Sequence, residues 1–274
     1  MTDPQRKIMA DTMTSGELAA HRARNGIVLL PIGCFEMHGV HVGMSCDTFI
    51  AEAACRILAE GLGAVVFPPI HYTFPGATGP WPGTVSLTPE EAAAYIKAVT
   101  KAILRNGFKR VALVNVHGPG AWYIQFVLRQ IFEETGELPI LLRPGWGDFH
   151  KWVREEFEYS HGEAAAYLAA LHIFGRHGEF DPATTEDQML RGGPPFGSYS
   201  DLAQHGVLMP YRYVRPEQHV SRYPGLTLED AERCAKVLRE SILKAAEGLP
   251  EDYERFQADM KAALAEAPWD DYPW

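Results

Sequence analysis

The stretch Ile27-Val28-Leu29-Leu30-Pro31-Ile32 runs directly into Gly33-Cys34-Phe35-Glu36-Met37-His38-Gly39-Val40-His41, and Asp47 follows shortly after. Six apolar residues in succession, rich in branched side chains, read as a strand buried on both faces. The loop behind that strand holds Glu36, His38 and His41, so that with Asp47 two carboxylates and two imidazoles fall within twelve residues. Open parallel sheets bind ligands beyond the carboxyl ends of their strands, which is where this loop begins. Oxygen and nitrogen donors of this kind suit Zn²⁺, Mn²⁺ or Fe²⁺. Each residue alone is equally compatible with a solvated loop, and Asp47 alone with the start of a helix. Their concentration is the signal.

Working outward, short apolar runs at Ala64–Phe67, Val111–Asn115 and Pro139–Leu142 repeat the strand pattern. Helical periodicity lies between and after them, over Thr48–Glu60, Trp122–Glu134 and Glu163–Phe174. Thr88-Pro89-Glu90-Glu91 is a capping box with proline in the first turn, and Gly107 closes the same helix. Alternation of this kind predicts a three-layer α/β fold, a mostly parallel sheet with helices on both faces. From Arg176 to Pro224 the chain is rich in Gly, Pro and aromatics without clear periodicity, which points to a functional or interfacial segment. Leu228–Glu247 reads as an amphipathic helix. The tail from Pro250 predicts one more helix and an apolar end with Trp269 and Trp274. No linker divides the chain, so residues 1–274 read as one domain.

Composition removes several classes of function. Acidic residues outnumber basic ones by 35 to 25, for a formal net charge of −10, whereas a nucleic-acid groove needs a concentrated basic face. Ile27–Ile32 is too short for a membrane span and lacks the pattern of a signal peptide. The four cysteines (Cys34, Cys46, Cys55, Cys234) have neither C-x-x-C spacing nor a disulfide framework. These features predict a soluble, cytoplasmic protein acting on a small molecule, with no nucleic acid and no membrane. No G-x-G-x-x-G follows the first strand, which argues against a nicotinamide-binding fold.

Two further clusters could supply chemistry. Asn115-Val116-His117-Gly118-Pro119-Gly120 ends the third strand, at the same sheet edge as Glu36, and its glycines allow backbone to approach a ligand. Ser160-His161-Gly162-Glu163 precedes a helix, where Glu163 is also favoured by the helix dipole without any functional role. His71, after the second strand, and Trp81-Pro82-Gly83-Thr84-Val85-Ser86-Leu87 are candidate pocket walls. His21, His150, His172, His177, His205 and His219 lack supporting neighbours and are read as structural.

Glu36-x-His38-Gly39-x-His41 followed by Asp47 resembles the E-x-H-G-x-H-…-D signature of the creatininase family, with every spacing kept. Pro82-Gly83-Thr84-Val85-Ser86-Leu87 is similar to that family's P-G-T-[IVL]-S-L segment, and Asn115–Gly120 to its N-G-H-G-G-N segment. The resemblance implies a three-layer α/β hydrolase with two divalent metal ions, assembled as a homohexamer. It implies that Glu36 holds one ion with His117, that His38 holds the other, and that Asp47 bridges them. The family's H-x-G-x-x-E-T-S segment, aligned through a shortened loop, implies Glu163 as the remaining carboxylate and His161 as the catalytic histidine. His41, His71, Trp81 and Thr84 would face the substrate.

Several positions depart from the family pattern. Cys46 stands before the bridging Asp, Val40 follows His-Gly, Gly118-Pro119-Gly120 follows His117, and Ala164-Ala165 follows Glu163. Ligand types survive while neighbouring positions change, which predicts a substrate other than creatinine. The expected reaction is metal-dependent hydrolysis that opens a small polar ring, in the first instance a cyclic amide. Opening of a keto-inositol ring of the 3-dehydro-scyllo-inosose type, through a carbon–carbon bond, requires the same ligands and is the alternative. A non-catalytic binding protein with the same fold would be favoured by loss of Glu36 or Asp47, and both are present.

Overall fold

The computed structural model describes residues 7–39, 42–157, 162–182, 197–215, 218–220 and 225–266. Four parallel strands form one sheet in the order β2-β1-β3-β4: β1 (Ile27–Ile32), β2 (Val65–Val66), β3 (Arg110–Asn115) and β4 (Ile140–Leu142). β1 and β3 pair over their full length, from Ile27 opposite Arg110 to Ile32 opposite Asn115. Proline is rare inside a sheet because it cannot donate to the ladder. Pro31 is accommodated because β2 ends at Val66; its carbonyl accepts from Ile70 N at 2.9 Å, on the side where regular pairing has stopped.

Side-chain alternation along β1 and β3 divides the interior in two. Leu29, Ala112 and Val114 face α2 (Cys46–Leu62), α5 (Trp146–Phe157), α6 (Glu163–Ile173) and α8 (Ala231–Ala245). Val28, Leu30, Val111 and Leu113 face α3 (Pro89–Arg105) and α4 (Gly120–Thr135). The result is the expected three-layer α/β arrangement. Every residue from Ala164 to Leu171 is buried, so α6 is apolar all round and packs between α2 and α8. The capping box predicted at Thr88 and Glu91 is present.

Some elements differ from the expectation. α1 (Ser15–Ala23) opens on a second capping box, Thr14 with Glu17, whose spacing is visible in the sequence but precedes only a short, mostly polar helix. α5 has no counterpart among the expected helices, and α7 (Gly197–Ala203) lies inside the segment expected to be irregular. The helix predicted from Thr48 starts two residues earlier, which places Asp47 in its first turn. α9 (Leu249–Ala265) is the expected last helix, while Trp269 and Trp274 lie outside the described residues. Among the described residues no helix is long and apolar enough to cross a membrane.

Gly33, directly after β1, packs against the first turn of α2. A Cβ there would lie 2.5 Å from the backbone N and Cα of Thr48, closer than van der Waals contact allows. Gly33→Ala should therefore push the first turn of α2 away from the sheet and cost about 1–3 kcal/mol, read as a lowered melting temperature. A variant that melts with the parent would show that this contact relaxes freely.

Candidate metal centre

The site is built at the ends of two adjacent strands. Past β3, Asn115 is fully buried and its Nδ2 donates to the carbonyl of His117 at 2.7 Å, which fixes the turn presenting that imidazole. Gly120 completes the turn because a Cβ there would meet Asn115 Oδ1 at 2.5 Å. Past β1, Glu36 N donates to Met44 O and Phe35 O accepts from Val85 N, both at 3.0 Å, so the loop is held on two sides. Gly39, at φ 75°, turns the chain after His38.

Glu36 is only 2% exposed, yet it is an acid. Thr78 Oγ1 donates to its Oε2, and His117 Nε2 lies 3.1 Å from its Oε1. Burial opposes ionisation, but the imidazoles of His117, His219 and His38 hold the carboxyl well below the usual carboxylate range. His38 Nδ1 lies 3.0 Å from the carbonyl oxygen of Glu36; a carbonyl only accepts, so Nδ1 carries the hydrogen. His38 Nε2 thereby points at Asp47 Oδ2, 3.5 Å away. Burial lowers the His38 pKa, but Asp47, Glu36 and Glu163 outweigh it and raise the value to about 10. His117 is raised in the same sense against the same desolvation, by Glu36 and Asp47.

These groups line a cavity of about 190 Å³ with Glu163, Thr78, Pro119, Tyr211, Tyr213 and His219. Asp47 Oδ2 and both ring nitrogens of His117 are buried without a well-directed hydrogen bond. Buried polar atoms are almost always paired, so several unpaired donors and acceptors converging on one cavity mark a cation site. A ring whose outer nitrogen is fixed by a carbonyl, as in His38, is the usual arrangement of a metal-binding histidine. The ligand atoms of Glu36, His38 and His219 lie within 4.8 Å of one another, as do those of Cys34, Glu36 and His117. The residues present fit a divalent metal ion.

The expected site residues fall into three groups. Glu36, His38, Asp47, His117 and Glu163 converge on the cavity. His41 and His161 lie outside the described residues. His71, Trp81 and Thr84, expected as substrate-facing walls, do not line it. His71 is exposed beside Tyr72, their ring centroids 6.3 Å apart. Thr84 Oγ1 accepts from Met37 N at 3.0 Å and so braces the β1 loop, while Trp81 Nε1 donates to Tyr213 O at 3.1 Å and braces the cavity wall. His219, read from sequence as structural, is a cavity residue whose ring stacks on Tyr213 and lies 4.7 Å from that of His38. No local spacing announces it, because it arrives from 181 positions beyond His38 (219 − 38).

The family model described as creatinine amidohydrolase matches residues 11–184. The chain belongs to the creatininase family. Over 103 residues it is 30% identical to the creatinine amidohydrolase of Pseudomonas putida, covering 36% of this chain and 40% of that protein. It is 35% identical over 101 residues to the mycofactocin precursor peptide peptidase of Mycolicibacterium smegmatis, covering 34% of this chain and 39% of that one. The 3-dehydro-scyllo-inosose hydrolase of Thermotoga maritima is 29% identical over 108 residues, covering 39% and 35%. The chain thus spans about two fifths of the length of the curated relatives it matches. A crystal structure of creatinine amidohydrolase superposes with a TM-score of 0.66 at 20% identity, over 90% of this creatininase-family chain and 98% of the other. That likeness establishes the fold.

Thr78 is the protein partner of Glu36 Oε2 and shares the cavity. Thr78→Val keeps the shape and removes the hydroxyl, leaving that oxygen unsatisfied. The metal-free variant should lose about 1.5–3 kcal/mol, as for a hydrogen bond to a charged group, measured by denaturant unfolding. Stability equal to the parent would show that Glu36 is compensated elsewhere.

Proposed function

We propose that the chain is a single, cytoplasmic hydrolase domain over residues 1–274 that binds two divalent metal ions and opens a small polar ring by hydrolysis, in the first instance a cyclic amide. The observation that carries this reading is the set of unpaired, buried ligand atoms of Asp47 and His117 around one cavity with Glu36 and His38. Glu36 and His117 would hold one ion, His38 and Glu163 the other, with Asp47 shared. Structural neighbours include creatininases with manganese and in a zinc–zinc form; Fe²⁺ suits the same donors. When bound, such ions lower the pKa of a water toward neutrality and polarise the substrate carbonyl.

The chain's own residues do the rest. Thr78 and the backbone contacts of the β1 loop hold Glu36 and His38 in place, so the ligand set is assembled before substrate arrives. Burial raises the Tyr213 phenol, and its hydroxyl is hydrogen-bonded to that of Tyr211 at 3.3 Å, so the pair presents one further O–H donor that can reach a substrate oxygen. His161 is assigned the proton that the leaving nitrogen needs as the carbonyl–nitrogen bond breaks. All four cysteines are buried and free, as suits a reducing compartment.

The similarity to a 3-dehydro-scyllo-inosose hydrolase supports a second reading, in which the bond broken is carbon–carbon in a keto-inositol. Turnover of cyclic amides against keto-inositols by the metal-loaded protein separates the two. Assembly into a homohexamer is part of the proposal; exposed Trp122, Phe126 and Leu208 are apolar side chains that an interface would cover. Light scattering at micromolar concentration should give a hexamer mass, and a monomer would refute that part.

Purified protein should carry up to two transition-metal ions per chain by elemental analysis, and chelation should abolish hydrolysis. Asp47→Ala should be the most damaging ligand substitution, because it serves both ions. Glu163→Gln should lose one metal equivalent and most activity while remaining folded. Full metal content and wild-type turnover in both variants would falsify the ligand assignment.

A further inference from the structure

His219 is placed with care for a residue that no motif announces. Gln218 is buried, and its Oε1 accepts from the backbone nitrogens of Val214 and Arg215, both at 2.9 Å, which anchors the residue just before His219. Val220, on the other side, is 1% exposed and belongs to the main core. Between these anchors the imidazole lies flat on the Tyr213 ring, with centroids 5.1 Å apart and an interplanar angle of 18°. Tyr213 is itself tied across the cavity mouth, its nitrogen to Ala77 O and its carbonyl to Trp81 Nε1.

A ring fixed in this way for packing alone would direct its polar edge to a protein partner or to solvent. The Nε2 of His219 is buried without a hydrogen bond, 3.8 Å from Glu36 Oε1, a separation too long for one. The His38 ring is 4.7 Å away on centroids, and His117 Nε2 reaches the same Glu36 oxygen. Three imidazoles around one carboxylate is a costly arrangement for packing alone, since buried polar atoms without partners reduce stability. It is a natural one for nitrogen donors converging on a cation.

The geometry points to His219 as a further metal ligand, a nitrogen donor that ties the segment Gln218–Val220 to the β1 loop when a divalent cation such as Zn²⁺ is bound. This inference rests on the proposed divalent-metal reading but assigns a residue outside the creatininase motifs. Its consequence is that metal binding and ordering of the cavity wall are coupled. Because Gln218 is hydrogen-bonded to Val214 and Arg215, next to Tyr211 and Tyr213 in the wall, a loaded site would have a firmer roof than a metal-free one.

The test uses the full-length protein, stripped by chelator and titrated with Zn²⁺ alone. In the unmodified chain, zinc should slow hydrogen exchange of the amides around Val214, Arg215 and His219 at least ten-fold. His219→Gln, which keeps a polar planar group, should weaken zinc binding by calorimetry about 10–100-fold, the range seen when groups supporting a metal site are removed. In the variant, zinc should no longer slow those amides, and the visible spectrum of the Co²⁺ form should change. Exchange in the unmodified protein that is indifferent to zinc would overturn the inference without requiring any variant. So would a folded His219→Gln protein with parental zinc affinity and cobalt spectrum, including one that had lost turnover. Those two results leave the metal reading intact, whereas failure of the unmodified protein to bind zinc or cobalt would remove both.

Discussion

A carboxylate that is 2% exposed must be compensated on every side, and in this protein that carboxylate is Glu36. Burying an unpaired charge is among the most costly acts in folding. Around Glu36 the compensation comes from three separate parts of the chain: Thr78 from the loop after β2, His117 from the end of β3, and the nearby His219 from the C-terminal half. The two imidazole-bearing segments each have their own fastening, the Asn115 side chain for the His117 turn and the Gln218 side chain for the His219 turn. The site is therefore a junction at which several remote loops are held in register, and the polar contacts that define it also close that edge of the sheet.

The parts of this arrangement that could be read from sequence are those encoded locally. Six apolar residues at Ile27–Ile32 must form a buried strand, and acidic and imidazole groups directly behind such a strand lie at the ligand-binding edge of a parallel sheet. Asn115 and His117 are two residues apart and Gly120 follows, so the turn that presents the imidazole is self-contained. The capping box at Thr88 is equally local and starts its helix at the expected residue. Reading fails where the decisive contact is remote. Trp81 and Thr84 sit in a recognisable motif, but their partners are Tyr213, 132 positions away, and Met37, 47 positions away. Nothing in the spacing of that motif says that it braces the walls of the site from behind. His219 is the converse, a cavity residue without a motif, visible only once the backbone brings its turn alongside His38.

The same contacts separate what holds the site from what shapes it. Glu36, His38, Asp47 and His117 are positioned by strand ends and a helix terminus, elements fixed by the buried faces of the sheet. The cavity walls come from Pro75–Thr78 and from Tyr211 and Tyr213, segments outside the strands and α-helices. Those two wall segments are fastened to each other, Tyr213 N to Ala77 O and Arg212 Nη1 to Gly76 O, more than to the ligand residues. Apart from Thr78, which is bonded to Glu36, exchange of wall residues can therefore alter which molecule fits the cavity while leaving the ligand atoms where they are. Similarity of one chain to an amidohydrolase, a peptide peptidase and a keto-inositol hydrolase is what such a division allows. The candidate ligand atoms sit at the strand ends and the first turn of α2, and the shape of the cavity above them is set by its roof.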